Sequence, residues 1–247
     1  MDSTTPRPLH SDADERAQRI QALFARIAPS YDKLNHLLSF GFDRYWRRNA
    51  IKPILNAPHH HVLDLACGTG DLALALLAKD SSTTLTILDF CAPMLERGIQ
   101  KIAKRFPRAN VTPLCAPAEN IPLPSNSMDA VMVAFGIRNV ANLHTALGEC
   151  LRVLKPKGLL VVLEFSHPSQ PLFRKLYRWY FHQCLPTIGG WISGQKADYS
   201  YLPRSVDTFP EGQVFLDRLA CAGFQRMDLK RLSLGIATRY TALKPQN

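Results

Sequence analysis

The sequence predicts an α/β fold: a mostly parallel, seven-stranded sheet with helices on both faces. Two observations carry this reading. From residue 60 onward, short and nearly continuous apolar runs alternate with helical segments, as expected for strands buried on both faces and joined by crossover helices. The first run, Val62-Leu63-Asp64-Leu65-Ala66, opens into Cys67-Gly68-Thr69-Gly70 and then into a helical stretch. That strand–glycine turn–helix order places a ligand at the carboxyl edge of the sheet.

The elements follow in order. Residues 1–14 read as a loose tail. In 15–28 (ERAQRIQALFARIA), Ile20, Leu23, Phe24 and Ile27 recur at i, i+3, i+4 and i+7 with arginines elsewhere on the wheel, an amphipathic helix. A second helical, aromatic stretch runs through Trp46 to Leu55. Strands are expected at 61–66, 84–89, 111–116, 129–135 and 159–165, with helices at 70–79, 92–105 and 142–153 between them. A turn at Lys155-Pro156-Lys157-Gly158 separates the third of these helices from the fifth strand. Beyond Ser166, a helical stretch at 171–185 and an irregular segment through Pro210 interrupt the alternation. A helix at 211–222 and strands near 225–231 and 237–243 complete the chain. Residues 15–247 therefore read as a single domain, with N-terminal helices (15–55) and an insertion (167–210) as additions.

Composition narrows the function classes. The chain has 247 residues, 46% of them hydrophobic, which is ample for a buried core and excludes a disordered protein. Its longest apolar runs, such as Leu72–Ala78, fall far below the ~18 residues of a membrane span. The first residues, MDSTTPRPLHSDADER, have no apolar core of the secretory kind, so a cytoplasmic protein is expected. Thirty Lys and Arg against twenty Asp and Glu give a net charge of +10, which suits an anionic partner or an acidic membrane surface. The basic residues come in short bursts rather than one stripe, and no RNA-binding module is appended, so nucleic acid is not the expected partner. The six cysteines have no metal-ligand spacing. Consecutive His59, His60 and His61 on a strand point to alternate faces and cannot jointly chelate an ion, so no metal is expected.

The chemistry begins at the glycine turn. Gly68 and Gly70 permit a tight turn and close approach of a ligand to the backbone. Gly68 to Ala73 also satisfies the loose dinucleotide pattern. Asp64 inside the strand opposes a pyrophosphate and suits a ligand bearing an ammonium or sulfonium. Asp89 ends the second strand, placed to accept both hydroxyls of a ribose. Asp64, the glycine turn and Asp89 together point to S-adenosylmethionine; the alternative, that Asp64 caps the turn and Asp89 the helix beginning near Cys91, is compatible with this or with a dinucleotide. The loop Ala116-Pro117-Ala118-Glu119-Asn120-Ile121-Pro122 lies where an adenine would sit, with the Ala118 N–H as donor because Pro117 has none. The fourth strand ends in Phe135-Gly136-Ile137-Arg138-Asn139-Val140 at the same edge, which suits substrate contact by Arg138. Asn139 either joins it or caps the next helix.

At this point the sequence resembles a known family. Asp-x-x-x-Gly-x-Gly, the acid after the second strand, Ala-Glu-x-Ile-Pro and the Leu-Lys-Pro before the fifth strand resemble class I, Rossmann-like, S-adenosylmethionine-dependent methyltransferases. Tyr31-Asp32-Lys33-Leu34-Asn35-His36-Leu37-Leu38-Ser39 with Trp46, and Arg152 to Gly158 through Glu164-Phe165-Ser166, resemble the two signatures of the ubiquinone/menaquinone-biosynthesis C-methyltransferases. Asp198-Tyr199-Ser200-Tyr201-Leu202 is also similar to a family segment. The likeness covers roughly residues 20–243. It departs at Asp43, where the family usually has His, at Leu34 (Met) and at Lys157 (Gly). Pro117 stands for an Asn or Asp and Ala134 for a Ser. The resemblance implies cofactor contacts at Asp64, Gly68, Thr69, Gly70, Asp89, Pro117, Ala118 and Ala134, and methylation of a prenylated quinol.

The reaction sets its own requirements. A ring carbon attacking a sulfonium methyl must be electron-rich, so the substrate is the reduced quinol. Its hydroxyl, with a phenol-like pKa of ~10, is only about one part in a thousand ionised at pH 7, a deficit of roughly 4 kcal/mol. A nearby cation lowers such a pKa by ~1–3 units, the role expected of Arg138. Asn139 is expected to orient the ring oxygen, and Tyr31 and Asp32 to close over the substrate, with a water relayed to Asp32 as a candidate base. No metal is required. The 15–28 helix and the aromatic, basic stretch 171–185 are candidates for a peripheral position at the inner membrane surface. Packing of their apolar stripes on the core or across a homodimer remains an equal alternative.

Overall fold

The computed structural model describes residues 12–56, 60–184 and 201–246. Three helices come first: α1 (Asp12–Ile27), α2 (Tyr31–Leu38) and α3 (Phe42–Leu55). Strands and helices then alternate as β1 (His61–Leu65), α4 (Asp71–Leu77), β2 (Thr84–Asp89), α5 (Ala92–Arg105), β3 (Val111–Cys115), β4 (Met128–Ala134), α6 (Leu143–Val153) and β5 (Leu154–Phe165). After β5 come α7 (Pro171–Trp179), continued as a wider π-helical turn over Tyr180–Cys184, then α8 (Tyr201–Thr208), α9 (Gln213–Cys221), β6 (Gln225–Leu232) and β7 (Ala237–Leu243).

The strands form one seven-stranded sheet in the order β3-β2-β1-β4-β5-β7-β6. All neighbours are parallel except β7, which runs antiparallel to β5 and β6. The period of two along each strand builds a core on each face. Val62, Ile87 and Val161 pack on one side with Trp46, Ile51, Leu72, Leu76 and Ile102 of the helices. Leu63, Leu88 and Val162 pack on the other with Leu147, Cys150, Phe215 and Leu219.

Four expectations are revised. Helix α1 begins at Asp12, so residues 12–14 of the expected tail are helical, while 1–11 lie outside the described residues. The aromatic stretch before β1 is two helices. They are separated at Phe40 (φ 51°) and Gly41 (φ 75°), whose left-handed backbone ends α2. The turn at 155–158 lies within β5. Pairing starts at Leu154, and the register jumps from Met128↔Leu154 to Ala130↔Leu159, so the extra residues bulge out with Lys157 at φ 65°. The segment expected to be irregular contains α8, a short helix with Pro203 in its first turn, where no intrahelical N–H is needed. Residues 185–200, including the rest of the expected insertion, lie outside the described residues.

Candidate active site

The strand order reverses between β1 and β4, and a crevice opens at their carboxyl ends. Both strands are followed by a non-glycine residue in the left-handed region, Ala66 (φ 49°) and Phe135 (φ 58°). Such conformations cost about 1–2 kcal/mol each and concentrate at functional sites. The two ends approach closely. A Cβ on Gly136 would lie 2.7 Å from the Ala66 Cβ, so only glycine fits there.

The glycine turn is held from three sides. Gly68 (φ 54°) and Gly70 (φ 77°) both require the left-handed region. The Gly68 N–H donates to Asp89 Oδ2 and the Cys91 N–H to Asp89 Oδ1, each at 2.8 Å. Below the turn sits Gly98 of α5, where a Cβ would meet Thr69 C at 3.2 Å and Gly68 O and Gly70 N at 3.3 Å. Asp89 thus ties the glycine turn to the N-cap residue Cys91 without capping α5 itself, and it still lines the crevice. Asp64 is 1% exposed. Its Oδ2 accepts the Ala73 N–H of α4 at 3.0 Å, while Oδ1 is buried with no hydrogen-bond partner. Burial raises the carboxyl to about 8, the Ala73 N–H opposes this and Asp89 adds to it. Burial likewise raises Asp89. A pair of buried acids, one with an unpartnered oxygen, beside a backbone turn open to a ligand fits a cationic, ribose-bearing group such as S-adenosylmethionine. Asp64, Gly68, Thr69 and Asp89 line that crevice together with Ala134, Gly136 and Asn139.

Pro117 and Ala118 do not line it. The Ala118 side chain is buried in the core among Leu63, Leu65 and Leu88, and Glu119 of the same loop accepts the Ala141 and Asn142 N–H groups.

A second, larger cavity of about 440 Å³ adjoins the first. Its walls come from α1, α2, α3, α7 and α8, and are mainly apolar and aromatic: Phe24, Trp46, Phe135, Phe165, Tyr177 and Trp179 among them. Phe24, Tyr31, Arg47 and Phe135 line both cavities. Tyr31 therefore stands at the junction, and burial raises its hydroxyl above the usual phenol range. The α1 stripe is turned inward: Ile20 and Ile27 are buried, and Leu23 and Phe24 face the cavity.

Arg138 lines the apolar cavity from a short 3-10 turn, Ile137–Asn139. Its Nη1 donates to Glu164 Oε1 at 2.7 Å and to the Phe135 carbonyl, and its Nε donates to Ser205 Oγ at 3.2 Å. Among the described residues no hydrogen bond engages Nη2. Glu164 is fully buried; burial raises its carboxyl and Arg138 lowers it. Asn139 lines the cofactor crevice, where its Oδ1 accepts the Tyr201 hydroxyl at 3.1 Å.

Asp32 is placed differently from expectation. It lines neither cavity; Thr69 Oγ1 donates to its Oδ1 and Lys101 Nζ to its Oδ2 at 2.6 Å. Lys101 also reaches Asp71 at 2.6 Å, and Arg47 bridges Asp71 and Asp43, which accepts from His36. Engaged in this way, Asp32 straps α2 to the glycine turn. His36, Asp43 and Asp71 lie close enough to bind an ion, but Arg47 already supplies the positive charge between the two acids. Sequence reasoning missed Gly98, Glu164, Tyr201, Arg47 and Lys101. Gly98 had a local signal, as a glycine inside a strongly helical pattern, and Glu164 and Tyr201 lie inside segments that resemble the family, though no role was read for them.

Among solved structures, the [4+2]-cyclase SpnF superposes with a TM-score of 0.68 at 17% identity, covering 94% of this chain and 97% of that one. A SAM-dependent methyltransferase from Thermotoga maritima superposes at 0.63 with 20% identity, covering 90% and 99%. At these identities the likeness is one of fold. In sequence, the chain is 47% identical over 231 residues to the ubiquinone/menaquinone biosynthesis C-methyltransferase UbiE of Geotalea daltonii, covering 93% of this chain and 98% of that protein. It is 44% identical over 224 residues to the demethylmenaquinone methyltransferase of Thermus thermophilus, covering 90% and 100%. With residues 12–244 matching its pattern, the chain belongs to the ubiE/COQ5 methyltransferase family.

Proposed function

We propose that this protein methylates a ring carbon of a prenylated quinol, converting a demethylmenaquinol to a menaquinol, a 2-polyprenyl-6-methoxy-1,4-benzoquinol to its methylated product, or both. The observation that carries this is the aromatic-lined cavity of about 440 Å³ that joins the cofactor crevice through Phe24, Tyr31, Arg47 and Phe135. A flat, apolar ring with a hydrocarbon tail matches such walls. The two arginines at the cavity are each paired with carboxylates, Arg47 with Asp43 and Asp71 and Arg138 with Glu164. They therefore present little net charge to a phosphate backbone, which disfavours a nucleic acid.

Bound in the crevice, S-adenosylmethionine supplies an electrophilic methyl group carried on a sulfonium. Asp89 would hold the ribose hydroxyls with its remaining lone pairs, and Asp64, with its unpartnered Oδ1, would favour the cationic end. Arg138 turns its Nη2 toward the quinol oxygen and stabilises the phenolate. Because Glu164 offsets much of its charge, the contribution is chiefly that of a fixed charge-assisted donor. The raised Tyr31 hydroxyl stays protonated near neutral pH and supplies a second donor at the junction.

The cavity opens beside an exposed rim, with Phe40, Leu172, Leu176 and Trp179 between 58 and 84% exposed. Arg174, Lys175 and Arg178 are interleaved with them on α7. No helix of the described residues is long and apolar enough to cross a membrane. A rim of this composition suits peripheral contact with an anionic bilayer, from which a prenyl tail enters the cavity.

The test is methyl transfer to a short-chain quinone analogue assayed anaerobically with and without reductant. Product is expected only with the quinol. Equal turnover of the oxidised quinone, or none with either, would overturn the reading.

A further inference from the structure

Helix α8 contributes two hydrogen bonds to the site, one to each polar residue at the end of β4. Ser205, 5% exposed, accepts from Arg138 Nε, and the Tyr201 hydroxyl donates to Asn139 Oδ1. The two residues thus held belong to different cavities, Arg138 to the apolar one and Asn139 to the cofactor crevice, and Tyr201 itself lines the apolar one. A side-chain amide has an acceptor end and a donor end, and its neighbours decide which way it faces. The bond from Tyr201 occupies the acceptor, and among the described residues no other hydrogen bond reaches the Asn139 side chain. Its Nδ2 is left as the end available to the crevice.

We infer that Tyr201 is a positioning residue for methyl transfer: its hydroxyl fixes the Asn139 amide with the donor end toward the cofactor crevice, where the methyl group is transferred. This rests on the quinol reading above. Without the hydroxyl, the amide turns between two orientations, one of which puts its acceptor instead of its donor into the crevice. A substrate ring in the aromatic cavity also touches the Tyr201 ring, so occupancy of the cavity and orientation of the amide act through one side chain.

The experiment is a double-mutant cycle on the full chain with Tyr201→Phe, Asn139→Ala and the pair. It measures kcat and KM with a short-chain reduced quinol, affinity for S-adenosylhomocysteine by calorimetry, and melting temperature. Tyr201→Phe should lower kcat about tenfold, the size of one lost, well-placed hydrogen bond, with KM and melting temperature unchanged. The double variant should be no slower than Asn139→Ala alone, because the effect of the hydroxyl on the rate passes through that amide. Independent, multiplying losses would overturn the inference, as would a Tyr201→Phe effect confined to KM or to melting temperature, or no effect at all. If the wild type methylates no quinol, the functional reading fails separately. The same cycle in S-adenosylhomocysteine affinity then decides the coupling, since Asn139 lines that crevice. Non-additive losses support it and additive or absent losses refute it.

Discussion

Cofactor binding is predicted to be coupled to release of one proton from Asp64. In the free protein burial holds this carboxyl near 8, and its Oδ1 has no hydrogen-bond partner. A cationic ligand favours the carboxylate, so the bound value falls and affinity rises with pH until the free carboxyl is itself ionised. With a free value of about 8, the ionised fraction is roughly 1% at pH 6.0 and roughly 24% at pH 7.5. Affinity for S-adenosylmethionine is therefore expected to increase about 25-fold over that interval, or ~1.9 kcal/mol, and to level off above pH 8. The ligand's own amino group, of pKa ~8, is deprotonated in about a quarter of the molecules at pH 7.5, which trims the expected rise by no more than about a quarter. Calorimetry in two buffers of different ionisation enthalpy should count close to one proton released at pH 6.5. Asp64→Asn keeps an oxygen for the Ala73 N–H and the fold, but should abolish both the slope and the proton release. Asp89 is the other buried acid in the crevice, but both its oxygens already accept backbone N–H groups. A flat profile in the wild type, or the same slope in Asp64→Asn, would refute the reasoning.

Arg138→Met should slow turnover about a hundredfold and also destabilise the fold by ~3–5 kcal/mol, because Glu164 is left buried without its cation. Combining it with Glu164→Leu should restore the melting temperature but not the rate; recovery of turnover in the pair would remove Arg138 from the chemistry. Gly98→Ala places a methyl 3.2–3.3 Å from three backbone atoms of the glycine turn, a strain of about 1–3 kcal/mol. Cofactor affinity should fall roughly tenfold or more as the turn shifts, and unchanged affinity by calorimetry would show that α5 does not support the turn.

The residues themselves determined the sheet and its binding edge. The apolar strand runs, the glycines at 68 and 70 and the acids at 64 and 89 all signal through neighbours a few positions away, by period, turn preference or position at a strand end. Local patterns carry such information because backbone conformation and burial of a strand depend on adjacent residues. Contacts made across the chain were decided only by the tertiary structure. Asp32 is a short polar residue in a family signature. Only the packing of α2 against the glycine turn shows that its carboxylate meets Thr69 and Lys101, 37 and 69 positions away. Arg138 acquires Glu164 because β4 and β5 are neighbours, and Tyr201 meets Asn139 across 62 positions because α8 folds back over the crevice. A charged side chain far from its partner in sequence has no periodic signature. Which group neutralises it, and therefore whether it faces a substrate or the protein's own framework, is settled by the geometry of packing alone.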